Sequence, residues 1–378
     1  MKKIIYIGGF ELPNKNAAAQ RVIGNSYALK ELGYETIFLG VSKEEKNLEN
    51  FKQFNDFKYY ERMYPQNNIQ WLSYLISVKD TIKIIKKYEK IDFLICYNYP
   101  AIALWRLKNY CKKNNIKIIA DVTEWYQGEG NIIHKILKNI DTFLRMRIIH
   151  FKLDGIIAIS KFLENFYKKK VKTIYIPPLV NKSESKWKSG TNVFNKSDSK
   201  ILHLTYAGSP GKNKDKINKI LRVLYESNFK NFQLNLIGFT KDDFLKENPQ
   251  EADIITRFSS KIIFFGRISH LEVLQILKKS DFSIFFREVN RVTMAGFPTK
   301  FSESISCGVP VITTQTSDLS DYLQDGITGF WLEKDIEKSV NKIFKTKDIQ
   351  NLKRMKKNIN SNQFYYKNYV EKFEQLFQ

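Results

Sequence analysis

The sequence predicts an α/β protein built of two doubly wound parallel sheets, and three observations carry that prediction. Short apolar runs of strand length alternate with helical stretches through both halves of the chain. Glycine-containing turns follow several of these runs at their carboxyl ends. A polar stretch without periodicity, NKSESKWKSGTNVFNKSDSK at 181–200, divides the two series.

The run KIIYIG at 3–8, a helical stretch at 17–32 and a run at 34–39 form a βαβ opening, in which Gly8 and Gly9 let a ligand approach the backbone. These glycines do not make G-x-G-x-x-G, so a nicotinamide cofactor is a weak reading. Runs at 93–96, 116–122, 155–160 and 173–176 extend the sheet, and Pro177-Pro178 stops the last one. DVTEWY at 121–126 stands at a strand end, where ligands reach such sheets. Asp121 or Glu124 there is placed to take a proton from an attacking hydroxyl, and capping a helix is the competing role. After the linker come runs at 202–207, 232–238, 262–266, 281–286 and 309–314. The expected organisation is a first domain over 1–180, a linker over 181–200, a second domain over 201–360 and a closing helix over 361–378. Two such domains imply a cleft.

The chain has 378 residues, 43% hydrophobic and 14% aromatic, enough for two packed cores. Its net charge of +23 favours a polyanionic partner: nucleic acid, an anionic membrane or phosphorylated small molecules. No nucleic-acid-binding module is recognisable, and none is expected as partner. Three separated cysteines and four histidines without ligand spacing give neither a disulfide framework nor a metal site. The opening MKKIIYIGGFELPNK reads as a first strand rather than a signal peptide. Two basic amphipathic stretches, 132–153 and more weakly 69–90, have the composition of segments that lie on an anionic bilayer.

The most informative stretch is AGFPTKFSESISCGVPVITT at 295–314. Gly296 and Pro298 break the chain, Thr299 is expected to cap a short helix over 301–307, Gly308 ends it, and 309–314 is a buried strand. Such a unit offers backbone amides and a helix N-terminus to phosphate. Lys300 adds a cation, and Glu303 a carboxylate able to accept from a ribose diol. Upstream, YAGSPGKNKDKI at 206–217 places Gly208, Ser209, Lys212 and Lys214 between a strand and a helix, a phosphate-contacting design that is not a Walker A loop. Arg287 and Arg291 leave a strand just before the organising loop, with Arg287 the stronger candidate. Lys212, Lys214, Arg287 and Lys300 together could stabilise a departing diphosphate. There is no D-x-D, so no metal is expected.

GFPTKFSESISCGVPVI resembles the donor-site signature of GT4-type retaining glycosyltransferases of the GT-B fold, the group 1 enzymes of bacterial surface polysaccharides. The resemblance implies two Rossmann-like domains facing each other across a cleft, with a nucleotide-diphosphate sugar, first of all a UDP-sugar, as donor and no cofactor. By resemblance Glu303 holds the ribose, and the loop of Phe297, Pro298, Thr299, Lys300 and Phe301 meets the diphosphate and the sugar. The family carries a second glutamate eight positions earlier, where this chain has Ala295, which implies altered donor recognition. Ser209 stands where the family has an arginine, Lys212 or Lys214 takes the place of its lysine, and Arg267 falls where relatives bracket the base. Lys214 and Arg287 are the expected catalytic cations, and Asp121 and Glu124 in DVTEWY are similar to an acid-x-x-acid-x-Trp pattern of related transferases. Arg21 matches a frequent basic position. The implied acceptor is a lipid-linked saccharide, met at the inner face of the cytoplasmic membrane by a peripheral cytoplasmic enzyme. Two rivals stay open: a same-fold sugar-nucleotide epimerase, and a binding protein whose site has lost its chemistry.

Overall fold

The computed structural model describes residues 2–13, 15–126, 128, 132–187, 200–208, 215–227, 229, 231–346 and 348–377. The chain divides into two compact units: Met1–Leu179 with Met294–Phe297 and Tyr366–Gln378, and Val180–Thr293 with Pro298–Tyr365.

The first unit holds an eight-stranded sheet, β1 (Lys2–Gly8), β2 (Tyr34–Ser42), β3 (Asn47–Phe54), β4 (Phe57–Met63), β5 (Phe93–Tyr97), β6 (Lys117–Val122), β7 (Gly155–Ala158) and β8 (Thr173–Tyr175), in the order β3-β4-β2-β1-β5-β6-β7-β8. All neighbours are parallel except the β3–β4 hairpin at the edge. The inner strands are buried along nearly their whole length, which is why they read as unbroken apolar runs. Strands β3 and β4 escape that signal because β3 is largely exposed and β4, though mostly buried, carries Glu61 and Arg62 inside. The helix Ala17–Glu31 starts where the Asn16 side chain accepts from the Ala19 amide at 2.9 Å. The closing helix Val370–Phe377 belongs to this unit: Phe377 packs on Phe93 and Tyr34, and the Tyr34 hydroxyl donates to the Phe377 carbonyl.

The second unit is a six-stranded parallel sheet, β9 (Leu202–Ala207), β10 (Phe232–Ile237), β11 (Ile262–Gly266), β12 (Phe282–Phe285), β13 (Val311–Thr313) and β14 (Gly329–Trp331), in the order β11-β10-β9-β12-β13-β14. Three-residue β14 is too short to carry a periodic signal. Each unit is thus a doubly wound Rossmann-like sheet, as the alternation predicts.

The structure corrects several local expectations. Of the expected linker, 188–199 lies outside the described residues, while 181–187 is anchored at two points: Trp187 is buried and Lys182 donates to the Ser306 carbonyl. The stretch 69–90 is no single helix. It breaks between Asn68–Ile76 and Lys79–Ile85 at an extended Ser77, whose hydroxyl accepts from the Lys79 amide. The stretch 132–153 is helical over Ile132–Leu144, then passes into a π-helical turn at Arg145–Ile149, where the buried Arg145 reaches the Asn98 carbonyl.

Candidate functional site

In the second unit the carboxyl ends of β9, β12 and β13 converge with the helix Thr299–Ser306. Its N-cap is Pro298 and makes no side-chain cap bond, so Thr299 is the first helical residue rather than the cap. The Phe301 amide donates to the Pro298 carbonyl and its ring is core, edge-on to Phe364 and Tyr322, so Phe301 offers a donor nothing. The amides of Thr299 and Lys300 lie in the first turn, where the helix supplies no acceptor. Gly308, at φ +74°, ends the helix in the left-handed region.

Lys300 turns inward. Its ammonium meets Asp215 and lies 4.1 Å over the Tyr206 ring. Arg287 Nε donates to the other Asp215 oxygen at 2.6 Å, and the Tyr206 hydroxyl donates to Asp215 at 2.9 Å. Arg287 is clamped further by Thr314: its amide donates to Thr314 Oγ1, which donates back to its carbonyl. Burial alone would raise the Asp215 carboxyl; Lys300 and Arg287 instead hold it well below the usual carboxylate range. Burial pushes Lys300 down to about 8, with Asp215 opposing and Arg287 assisting. Two cations share one carboxylate, which leaves a net positive charge. Gly208 makes room for it: at φ +144°, it would bring a Cβ to 3.0 Å from the Lys300 Nζ. A cavity of about 760 Å³ opens beside Arg287, with Phe286, Thr314, Lys219 and Trp331 in its walls.

One turn beyond Lys300, Glu303 Oε1 meets His270 Nε2 at 3.1 Å. His270 opens the helix His270–Lys279, fixed by a capping box between Ser269 and Glu272. The contact leaves the second Glu303 oxygen for another donor. Arg267 is exposed just past β11, two residues before Ser269. Gly208, Arg287, Lys300 and Glu303 are thus brought together; Ser209, Lys212 and Lys214 lie outside the described residues.

Sequence reasoning missed Asp215 and His270. Asp215 was hidden as a single acid in a lysine-rich run; the Ser269-x-x-Glu272 box could have placed His270 at a helix start.

In the first unit, Gly8 ends β1 under Tyr97, and a Cβ there would approach Tyr97 Cβ to 2.7 Å; Gly9 is exposed. Asp121 is no proton acceptor for an incoming hydroxyl. It is fully buried at the end of β6, held by Arg21 Nη2 at 2.7 Å and by the Tyr6 hydroxyl at 2.5 Å. Arg21 carries on to the Ile176 carbonyl, so this pair ties the helix Ala17–Glu31 to the sheet. Glu124 is partly exposed, close enough to Tyr97 and Tyr126 that, after burial, its charge helps raise both phenols. Ala295 is buried, its carbonyl accepting from Ser160 Oγ at 2.7 Å within the first unit.

The two Rossmann-like sheets, with a cationic site at the strand ends of the second, have the fold of the GT-B glycosyltransferases. Residues 190–362 match the family model described as glycosyl transferases group 1, and this match and the fold together support a GT-B glycosyltransferase. Among solved structures, the chain is similar to sucrose-phosphate synthase from Thermosynechococcus elongatus, at 13% identity and TM-score 0.75, covering 100% of this chain and 98% of that one. It is also similar to HepE from Anabaena in complex with UDP and glucose, at 12% identity and TM-score 0.65, covering 99% of each chain. A third is the catalytic domain of starch synthase IV from Arabidopsis thaliana bound to ADP and acarbose, at 12% identity and TM-score 0.72, covering 100% and 98%. A search of curated proteins finds no significant match.

Proposed function

We propose that this protein is a retaining, metal-independent glycosyltransferase of the GT4 type. It moves a sugar from a nucleotide-diphosphate sugar to a lipid-linked saccharide during assembly of a bacterial surface polysaccharide. The observation that carries the reading is the Asp215-bridged pair of Arg287 and Lys300, set beside Glu303 on the same helix. Glu303 holds the ribose through its second oxygen. The net positive pair and the first-turn amides face the diphosphate and offset the charge that develops as it leaves. Lys212 and Lys214 add cations to the same phosphates, Gly9 admits the substrate close to the backbone, and Arg267 lies along the base. Glu124, rather than Asp121, receives the proton of the attacking hydroxyl.

The base is a uracil in the first instance. Structural neighbours solved with UDP and with ADP share the fold, so the fold alone does not choose it.

The membrane part of the reading is supported by the helix Ile132–Leu144. Ile132, Ile136, Ile140 and Phe143 form an outward apolar stripe, Ile132 being 75% exposed, with Lys135 and Lys138 alongside. Among the described residues no helix is long and apolar enough to cross a membrane. In this reading the enzyme rests by that apolar stripe on the inner face of the cytoplasmic membrane.

The test is turnover. Nucleoside diphosphate should be released from one sugar nucleotide only when a saccharide acceptor is added, with unchanged rate in EDTA and a retained anomeric configuration by NMR. Formation of the epimeric sugar nucleotide, with no net release of nucleoside diphosphate, favours the epimerase; binding with neither epimer formed nor diphosphate released under any acceptor favours a site that has lost its chemistry.

A further inference from the structure

Among the described residues, four arginines are buried: Arg21, Arg62, Arg145 and Arg287. Three have a carboxylate within reach, Arg21 with Asp121, Arg145 with Asp141 and Arg287 with Asp215. Arg62 has none among the described residues. It is 6% exposed, yet its partners are neutral: the Tyr99 hydroxyl at 2.8 Å, and the Tyr74 hydroxyl and Gly8 carbonyl, both at 3.4 Å. The Tyr74 and Tyr99 rings flank its guanidinium at 4.7 and 5.2 Å, and its buried Nε has no partner among the described residues. The nearby carboxylate of Asp80 is taken by Lys46 at 2.9 Å. An arginine stays charged when buried, and a buried charge without a counterion is costly. The fold nevertheless fixes this one from three sides, and it does so in the wall of a cavity.

That cavity, about 270 Å³, lies wholly in the first unit. Lys46, Gln70, Ser73, Ser77, Asp80 and Thr81 line it with Arg62: an ammonium, an amide, three hydroxyls and one carboxylate, already paired to Lys46, around a guanidinium. This is the donor set of a phosphate site. One wall is the helix Asn68–Ile76, which turns Ile69, at 81% exposure, and Leu72 to solvent. Trp71 on the same helix packs edge-on to Tyr74, the ring that flanks Arg62. An anion subsite and an outward apolar helix face are joined through two aromatic rings.

We propose that the cavity is a phosphate site, anchored by Arg62, for the phosphate or diphosphate that links the acceptor to its lipid. The phosphate chemistry stands on the geometry alone; the lipid source rests on the acceptor proposed above. The missing counterion of Arg62 arrives with the substrate, and the apolar face of the helix Asn68–Ile76 meets the start of the lipid chain.

The test is isothermal titration calorimetry of the full chain with inorganic pyrophosphate and with farnesyl diphosphate. UDP is kept at saturation, so that phosphate groups do not enter the donor site. Wild type should bind both probes, with affinity falling roughly tenfold or more in Arg62→Met and partly recovering in Arg62→Lys. Farnesyl diphosphate should bind more tightly than pyrophosphate, and Leu72→Asp should remove that difference. Equal affinities for the two probes would overturn the lipid source and leave a site for soluble phosphates. No binding to wild type, or binding unchanged in Arg62→Met, would overturn the site itself. A protein that ignores UDP would sink the donor assignment instead, and Arg62→Met would still decide the pyrophosphate result.

Discussion

Arg287 Nε donates to Asp215 Oδ1 at 2.6 Å in a pocket where Lys300 takes the other carboxylate oxygen. One buried acid thereby orders two cations before any substrate arrives, which is the condition for electrostatic stabilisation without reorganisation. Asp215→Asn should cost about 3–5 kcal/mol of stability, because it leaves two cations facing each other unscreened. A diphosphate would replace the lost charge, so UDP should raise the melting temperature of this variant more than that of wild type. Equal shifts, or a variant as stable as wild type, would contradict the bridging role.

Lys300 makes donor binding depend on pH. Burial brings it down to about 8, so its charge and its hold on a diphosphate fade as pH rises through that value. UDP affinity should therefore fall between pH 7 and 9. The stability of the empty protein has the opposite sign. Between about 8 and the ordinary lysine value of 10.5 the unfolded chain binds more protons at this residue, so its contribution rises with pH across that window. Below about 8 the penalty of the buried charge is felt in full. Dissociation constants and urea midpoints at pH 7, 8, 9 and 10 separate the two trends, and Lys300→Met should flatten both.

The carboxylate of Glu303, oriented by His270, should discriminate ribose from deoxyribose. A hydrogen bond to a charged group contributes about 1.5–3 kcal/mol, so Glu303→Ala should weaken UDP roughly ten- to hundredfold. The same variant should bind UDP and dUDP alike. His270→Ala should reduce the discrimination while keeping part of the affinity. A Glu303→Ala variant that still prefers ribose would show that the diol is read elsewhere.

Two carboxylates three positions apart in sequence should behave differently on mutation. Asp121→Asn breaks its buried pair with Arg21 and should lower stability by about 3–5 kcal/mol, with activity lost in proportion to the unfolded fraction. Glu124→Gln, at a partly exposed site, should leave the melting temperature nearly unchanged and lower kcat. A stable, inactive Asp121→Asn would return the catalytic role to Asp121.

The apolar stripe of the helix Ile132–Leu144 predicts adsorption to anionic vesicles. Ile136→Ser with Phe143→Ser should each remove about 1.5–3 kcal/mol of burial in the bilayer and largely abolish co-sedimentation, without changing the UDP-induced shift. High salt should weaken wild-type binding by screening Lys135 and Lys138 from the headgroups. Unchanged co-sedimentation of the double variant would place membrane contact elsewhere.

Much of the fold was legible because parallel strands buried on both faces write unbroken apolar runs, as β1, β5 and β9 do. The edge pair β3–β4 and the short β14 leave no such trace. At the site, Lys300 and Glu303 could be read from their place after Gly296 and Pro298, since loop breakers before a helix announce a phosphate-facing end. Their partners could not. Asp215 precedes Lys300 by 85 positions and His270 precedes Glu303 by 33, and side-chain pairs at that separation exist only once the sheet order brings strand ends together. Asp121 shows the converse: its place at a strand end looked catalytic, but Arg21, 100 positions away, claims its carboxylate.

The central claim is that Glu303, Arg287 and Lys300 form the site for a nucleotide-diphosphate sugar. The most direct measurement is a thermal-shift panel of UDP-, GDP-, dTDP- and CMP-sugars, with and without EDTA, on wild type and Glu303→Ala. Binding to the native state should raise the melting temperature for one nucleotide class, equally with and without EDTA, and Glu303→Ala should lose most of that rise. No shift from any sugar nucleotide, or a shift that Glu303→Ala keeps in full, would contradict the account.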